Sequence, residues 1–190
     1  MIEKDELRKR MRQRRKAMDP NTIDASSKEI FRHLFNSKLW QEAKVIHTFL
    51  PQNTEPNTFF LVQEALRTQR RLQVPKVDGP SNLTHHWLED LKLLKKSSWG
   101  IPEIQDSAAT VADLSKIDLV LVPGLAFSRK GARLGQGRGY YDRFLNQLNW
   151  AKTLGVGFDW QILEHIPEES HDRRLDGVIT ESQLFWPLGE

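Results

Sequence analysis

The chain has 190 residues, enough for one sizeable core and short for two, and a composition of 38% hydrophobic and 28% charged residues indicates a folded rather than a disordered chain. Cysteine is absent, which excludes disulfides, thiolate metal sites and cysteine nucleophiles, and no apolar run approaches the ~20 residues of a membrane span. The net charge of +3 is a mild excess, but it is unevenly placed.

Glu3 to Ala17 reads as a helix, with good helix formers, no Gly or Pro, and Leu7 and Met11 at i, i+4 as a thin apolar seam. The same segment carries Lys4, Arg8, Lys9, Arg10, Arg12, Arg14, Arg15 and Lys16. Such a run suits a nucleic-acid arm, a phosphate-binding helix or a solvated face, and Asp5, Glu6 and the lack of interleaved aromatics argue against the first. Its opening, Met-Ile-Glu-Lys-Asp-Glu, is unlike a secretory signal, so a cytoplasmic protein without a membrane partner is expected.

Asp19-Pro20 reads as the N-cap and first position of a second helix, whose Ile23, Ile30, Leu34 and Phe35 supply a core face. Lys44 to Phe49 is strand-like and stops at Pro51, and Asn57 is the expected cap of a third helix bearing Phe60, Leu61, Ala65 and Leu66. Arg71 to Val77 reads as a strand that Pro75 assigns to an edge or a strand end. Leu83 to Leu88 is a further short strand and Leu91 to Leu94 a turn of helix. Neighbours on a strand point to opposite faces, so His85 and His86 cannot chelate from one side, and surface or partner-satisfied histidines are expected.

Leu119 to Val122 form a short continuous apolar run ended by Pro123-Gly124, as in a strand covered on both faces of a mostly parallel sheet. The chain beyond Gly124 therefore starts at a strand's carboxyl end, where open α/β sheets bind ligands. There Gly131, Gly135, Gly137 and Gly139 alternate with Arg129, Lys130, Arg133 and Arg138. Glycines let backbone N–H groups approach an anion, so the stretch reads either as a phosphate-binding loop or as a glycine-rich hairpin. A helix beginning near Tyr140 would place Tyr141, Phe144, Leu145 and Leu148 on one core-facing side and Tyr140 toward a ligand. Asp142 in its first turn is either a capping carboxylate or a Mg²⁺ ligand. Thr153 to Phe158 and Gly177 to Thr180 complete the strands. The alternation implies an α/β layered sheet in a single domain spanning residues 1–190.

The loop is neither G-x-G-x-x-G nor G-x-x-x-x-G-K-[ST], and neither H-E-x-x-H nor G-x-S-x-G occurs in the chain. Chemistry carried by positioned charges is left, and phosphoryl transfer is of that kind, since alignment and charge neutralisation lower its barrier. Residues 4–16 and 129–138 offer two cationic clusters to close on one polyphosphate.

Lys4-x-x-Leu7-Arg8, Pro123-Gly-Leu-Ala-Phe127 and Gly131-x-Arg133-Leu-Gly135-x-Gly137-x-Gly139-Tyr-Tyr-Asp142 together resemble the 5-formyltetrahydrofolate cyclo-ligase family. Phe49-Leu50-Pro51 with Glu55 and Thr58, Trp99-Gly100-Ile101-Pro102-Glu103, Asp172 and Asp176-Gly-Val extend the resemblance along nearly the whole chain. It implies a three-layer αβα fold with a mostly parallel central sheet, like that of sugar-phosphate isomerases and CoA transferases. It also implies ATP- and Mg²⁺-dependent closure of 5-formyltetrahydrofolate, free or polyglutamylated, to 5,10-methenyltetrahydrofolate by a monomer.

By the same resemblance Lys4, Asp5, Glu6, Leu7 and Arg8, with Arg133, Leu134, Gly135, Gln136, Gly137, Arg138, Gly139, Tyr140 and Tyr141, would bind ATP. Leu50, Glu55 and Gln136 to Tyr140 would line the folate pocket, and Asp142 and Asp172 would hold the metal. Arg133, Arg138 and Tyr140 would serve catalysis. Ser128, Gln136, Arg138 and Pro56 depart from the family's common pattern, which bears on substrate detail more than on reaction class. Two other readings make the chain a phosphometabolite-binding protein on the same fold, or residues 4–16 a nucleic-acid helix.

Overall fold

Leu119–Pro123 is β6, the middle of a seven-stranded sheet, and its uninterrupted apolar run is buried on both faces as a central strand requires. The computed structural model describes residues 3–52, 54–80, 82–97, 100, 102–105, 107, 109–169 and 172–186. Trp99 and Ile101 of the family-like segment lie outside the described residues.

The helices are α1 (Lys4–Lys16), α2 (Pro20–Phe35), α3 (Lys38–Glu42), α4 (Phe59–Arg67) and α5 (Tyr140–Leu145). The large sheet runs β12 (Leu184–Phe185), β11 (Gly177–Ile179), β9 (Lys152–Val156), β6, β1 (Val45–His47), β2 (Arg71–Asp78), β3 (Asn82–Leu88). From β11 to β2 every pairing is parallel, and β12 and β3 close the two edges antiparallel. Two smaller sheets lie beside it: β10 (Ile162–Leu163) with β7 (Ala126–Ser128) and β8 (Arg133–Leu134), and the hairpin β4 (Leu94–Lys96) with β5 (Pro102–Ile104).

Alternation along the strands divides the core into two layers. Ile46, Leu72, Leu119, Leu121, Leu154 and Ile179 pack against α2, α3 and α4, whereas Val45, Val120, Val122 and Val178 pack against Phe144 and Leu145 of α5 with Leu148. This is the expected layered α/β architecture with a mostly parallel sheet. A third cluster joins Leu7 and Met11 of α1 to Leu125, Ala126, Ala132 and Leu134, so the thin apolar seam of α1 sits on the β7–β8 hairpin.

The strand starts are tied by carboxylates that leave the opposite ends available. The Asp118 side chain accepts from the Lys44 and Val45 N–H groups at 2.8 and 2.9 Å, and Asp176 accepts from the Thr153 N–H at 2.8 Å. Asp19 caps α2 as expected, accepting from the Thr22 N–H at 3.0 Å. Two details differ from expectation. The N-cap of α4 is Thr58, with Asn57 Oδ1 accepting from the Phe59 N–H. Strand β2 is second from the edge, but its pairing with β1 ends at Gln73, so Pro75 lies where its missing N–H breaks no ladder with β1.

Candidate functional site

Beyond the carboxyl ends of β1 and β6 lies a cleft of about 1220 Å³. Its floor is Phe49 and Leu50 after β1 and Pro123 and Gly124 after β6, and one wall comes from Pro75, Val77 and Leu83 of the β2–β3 hairpin with Pro102 and Glu103 of β5. Pockets for a single drug-sized ligand usually measure ~300–1000 Å³, so the cleft is larger than one such ligand needs.

Helix α1 forms a second wall. Lys4, Arg8, Arg12 and Arg15 recur at steps of four, four and three, which puts them along one side of the helix while Leu7 and Met11 face the hairpin beneath. Lys4 Nζ donates to Asp172 Oδ2 at 2.6 Å and lies 3.0 Å from Glu169 Oε1. Burial opposes the charge on Lys4, but the two carboxylates outweigh it and hold the ammonium above the ordinary lysine range. Arg8 Nε donates to the Gly135 carbonyl at 3.2 Å, and Arg12 grips both Gln136 oxygens, the carbonyl at 2.9 Å and the side-chain amide at 3.0 Å. Arg15 is buried and reaches Glu55 Oε1 at 3.1 Å.

The glycine-rich stretch divides into two parts. Arg129 to Ala132 turn the β7–β8 hairpin, with Arg129 and Lys130 exposed and Arg129 over the Phe185 ring, so these two cations do not line the cleft. Gly135 to Gly139 form the loop that does. At Gly137 φ is +100°, a conformation that L side chains rarely adopt, and the open α-carbon sits against the Arg8 guanidinium. Helix α5 begins after Gly139 and has only six residues, so its dipole is a smaller contribution to anion binding than expected.

Arg133 Nη2 donates to Asp142 Oδ1 at 2.7 Å, with the arginine side chain 5% exposed and the aspartate 20%. Arg133 Nε and the Tyr141 hydroxyl are both buried without a hydrogen-bond partner among the described residues. Unpaired buried donors on a cleft wall are an expensive arrangement unless a ligand completes them. Burial, with Glu55 nearby and Arg133 opposing, holds the Tyr141 phenol above the ordinary tyrosine range and so protonated as a donor. Tyr141 therefore does more than pack edge-on against Phe144, and both tyrosines line the cleft. The Tyr140 hydroxyl donates to the Gly79 carbonyl at 3.2 Å, tying α5 to the tip of the β2–β3 hairpin.

Glu55 lies at the other end, buried, with Oε2 accepting from the Gln52 N–H at 3.1 Å. Burial pushes its carboxyl above the ordinary range, and the Arg15 charge, the Gln52 N–H and the Arg15 hydrogen bond pull it back.

The cleft thus gathers Lys4, Arg8, Leu50, Glu55, Asp142, Asp172 and all nine residues from Arg133 to Tyr141. Asp5, Glu6 and Leu7, expected at the nucleotide, are not among its lining residues: the first two are exposed and Leu7 is 3% exposed in the core under α1. Sequence reasoning missed Arg143 and Glu169, which line the cleft, and named Arg12 and Arg15 only as members of the cationic run of α1. The four-four-three spacing of α1 was the signal that would have separated its inward cations from Lys9, Arg10 and Lys16, whereas Glu169 carries no local pattern.

No cluster of three or more acidic or histidine side chains fit to hold a metal occurs among the described residues. Mg²⁺ commonly takes one or two carboxylates and completes its shell with phosphate oxygens and water. Asp142 and Asp172, both on the cleft wall, fit an ion that arrives with a nucleotide, not one caged by protein alone.

An α/β protein with one large cleft, cationic along one wall and glycine-lined at its loop, is thereby defined. The sequence matches the family model of the 5-formyltetrahydrofolate cyclo-ligase family over residues 1–181. The chain belongs to that family. It is 29% identical to the 5-formyltetrahydrofolate cyclo-ligase of Mus musculus over 188 residues, covering 92% of each chain. It is also 29% identical to that of Escherichia coli K12 over 182 residues, covering 92% of this chain and 98% of that one. The solution structure of Aquifex aeolicus 5,10-methenyltetrahydrofolate synthetase superposes with a TM-score of 0.85 at 27% identity, covering 98% of this chain and 93% of that one. A Mycoplasma pneumoniae 5,10-methenyltetrahydrofolate synthetase shares the fold, with a TM-score of 0.76 at 24% identity over 95% of this chain and 99% of that one.

Proposed function

We infer that the chain is an enzyme that closes 5-formyltetrahydrofolate to 5,10-methenyltetrahydrofolate with consumption of ATP and release of ADP and phosphate. The single observation that carries this reading is one cleft with a cationic, glycine-lined end at Arg8 and Gly135 to Gly139 and a buried carboxylate, Glu55, at the other. The first matches a polyphosphate, the second the paired N–H edge of a pterin.

A formamide carbonyl is a weak electrophile and its oxygen a poor leaving group. In the proposed reaction the formyl oxygen attacks the γ-phosphorus and ADP departs, leaving an iminium carbon at N5. N10 attacks that carbon, its proton is lost, and phosphate leaves with the former formyl oxygen. Lys4 and Arg8 would bind the nucleotide, Arg133 and Arg138 would neutralise charge on the transferring group, and Tyr140 would border the folate beside Leu50. Asp142 and Asp172 would hold Mg²⁺, which supplies neutralisation of phosphate charge when bound. The same reading has a single-domain monomer acting in the cytoplasm on free or polyglutamylated folate.

Turnover tests it: ADP release and methenyl-folate absorbance should rise together, in magnesium, only when ATP and 5-formyltetrahydrofolate are both present. A folded sample that shows neither would sink the reading. Asp142→Asn should raise the Mg²⁺ concentration needed for half-maximal rate by about tenfold, by loss of one charged ligand. An unchanged magnesium dependence would remove the metal role.

A further inference from the structure

The buried pair between α1 and the Glu55 loop lies within the fold at the folate end of the cleft. Side-chain exposure is 6% for Arg15 and 9% for Glu55, and only Glu55 is on the cleft wall. Among the described residues each carboxylate oxygen has one protein donor, Arg15 Nη1 on Oε1 and the Gln52 N–H on Oε2, both at 3.1 Å. A carboxylate offers about four acceptor sites, so one on each oxygen is left for a ligand. Two parallel N–H groups, as on the amino-pyrimidinone edge of a pterin, are the complement of that pair of oxygens. A protonated carboxyl would present a hydrogen to one of those N–H groups and lose the match.

We propose that Arg15 is the positioning residue for folate recognition, holding the Glu55 carboxylate charged and oriented toward the cleft without itself touching the substrate. The proposal rests on the reading of Glu55 as the folate contact. Because the carboxyl is buried, its ionisation is upheld by Arg15 and Gln52, and Arg15 is the only one of the two that brings charge. Tyr141 of α5, the other titratable group near Glu55 among the described residues, has a phenol that burial holds protonated, so of the two it is Glu55 that responds to pH. Helix α1 thereby touches both ends of the cleft with one face, Arg8 at the glycine loop and Arg15 at Glu55.

The experiment is steady-state ADP release by Arg15→Met, Arg15→Lys, Glu55→Gln and the Arg15→Met/Glu55→Gln double variant between about pH 6 and pH 8. Without the guanidinium, the burial that already raises the Glu55 carboxyl is no longer opposed by a charge, so its protonation moves to higher pH. Arg15→Met should therefore raise KM for 5-formyltetrahydrofolate about tenfold at the acid end, as expected for losing a charge-assisted hydrogen bond, with the rise shrinking toward alkaline pH. KM for ATP and kcat should stay within about twofold of wild type, and Arg15→Lys should restore most of the lost affinity. In the Glu55→Gln background, Arg15→Met should add nothing to folate KM.

A purely structural Arg15 would change both KM values alike and independently of pH, or leave them unchanged in a folded variant, and either result overturns the proposal. If Arg15→Met does not fold, the double variant, which leaves no charge stranded, carries the comparison with Glu55→Gln, and a further rise in folate KM there also overturns it. If Glu55→Gln itself leaves folate KM unchanged, the reading of Glu55 falls and takes the proposal with it. A rise in Glu55→Gln alone, with none in Arg15→Met, removes only the proposal.

Discussion

Two turns, Arg129 to Ala132 and Gly135 to Gly139, are nearly interchangeable on paper: both are short, basic and built around glycine. In the fold they are opposites. The first is satisfied by uncharged groups, since Ser128 Oγ accepts from the Lys130 and Ala132 N–H groups at 3.2 and 3.1 Å and the Gly131 carbonyl accepts from the Leu175 N–H at 2.9 Å. Its cations face solvent, as most surface charge does. The second is held by cations: Arg8, Arg12 and Arg143 take the carbonyls of Gly135, Gln136 and Arg138. A trans peptide directs its N–H opposite its carbonyl, so a loop whose carbonyls are drawn to neighbouring cations turns N–H groups the other way. A binding loop is distinguished here from a solvated turn by who satisfies its backbone.

The largest effect should separate the two turns by activity. Arg138→Ala is expected to lower kcat/KM by about 10²–10³, the usual loss for a donor to developing charge, whereas Arg129→Ala should stay within about twofold. Equal losses in the two variants, measured by ADP release, would break the distinction.

Stability should then separate them the other way. Gly131 has φ of +83°, and a Cβ there would collide with the Leu175 carbonyl. Gly131→Ala should cost about 1–3 kcal/mol from backbone conformation alone and more from the collision, read as a lower denaturation midpoint with kcat/KM of the folded enzyme preserved. A normal midpoint would show that the turn is not fixed by Leu175.

Acid should loosen the second turn before the first. His47 Nε2 and His85 Nδ1 lie 3.0 Å apart, and the His85 ring stacks on Phe144 of α5 at 4.1 Å. Burial, and then the neighbouring His85, holds His47 well below the ordinary histidine range, while burial and then His86 bring His85 to about 4. The unfolded chain takes up these protons first as pH falls below ~6.5, so stability that is complete above that pH is lost on the way down. The slope is about 1.4 kcal/mol per pH unit for each imidazole. Hydrogen exchange at pH 5 should rise around α5 and Gly135 to Gly139 ahead of Arg129 to Ala132, and a pH-independent pattern would contradict the role of the pair.

Much of the architecture was legible because it is periodic. Apolar runs at Leu119 to Val122 and Thr153 to Phe158, the Asp19-Pro20 start and the i, i+4 seam of α1 all gave elements close to those observed. The site was legible where residues are contiguous, from Arg133 to Asp142. What was not legible is pairing over long sequence separations: Lys4 with Asp172, Arg15 with Glu55 and Arg133 with Asp142 depend on strand order, which no local pattern carries. For the same reason Arg129 and Arg133 could not be told apart, although one is exposed and the other is nearly buried.

Alignment of ATP with the formyl oxygen in the cleft can be followed directly by an oxygen label on that atom. With 5-formyltetrahydrofolate carrying ¹⁸O in its formyl group, turnover in ordinary water should place the label in the released phosphate, one atom per methenyl product. Unlabelled phosphate, with the label recovered in water or formate, would contradict it.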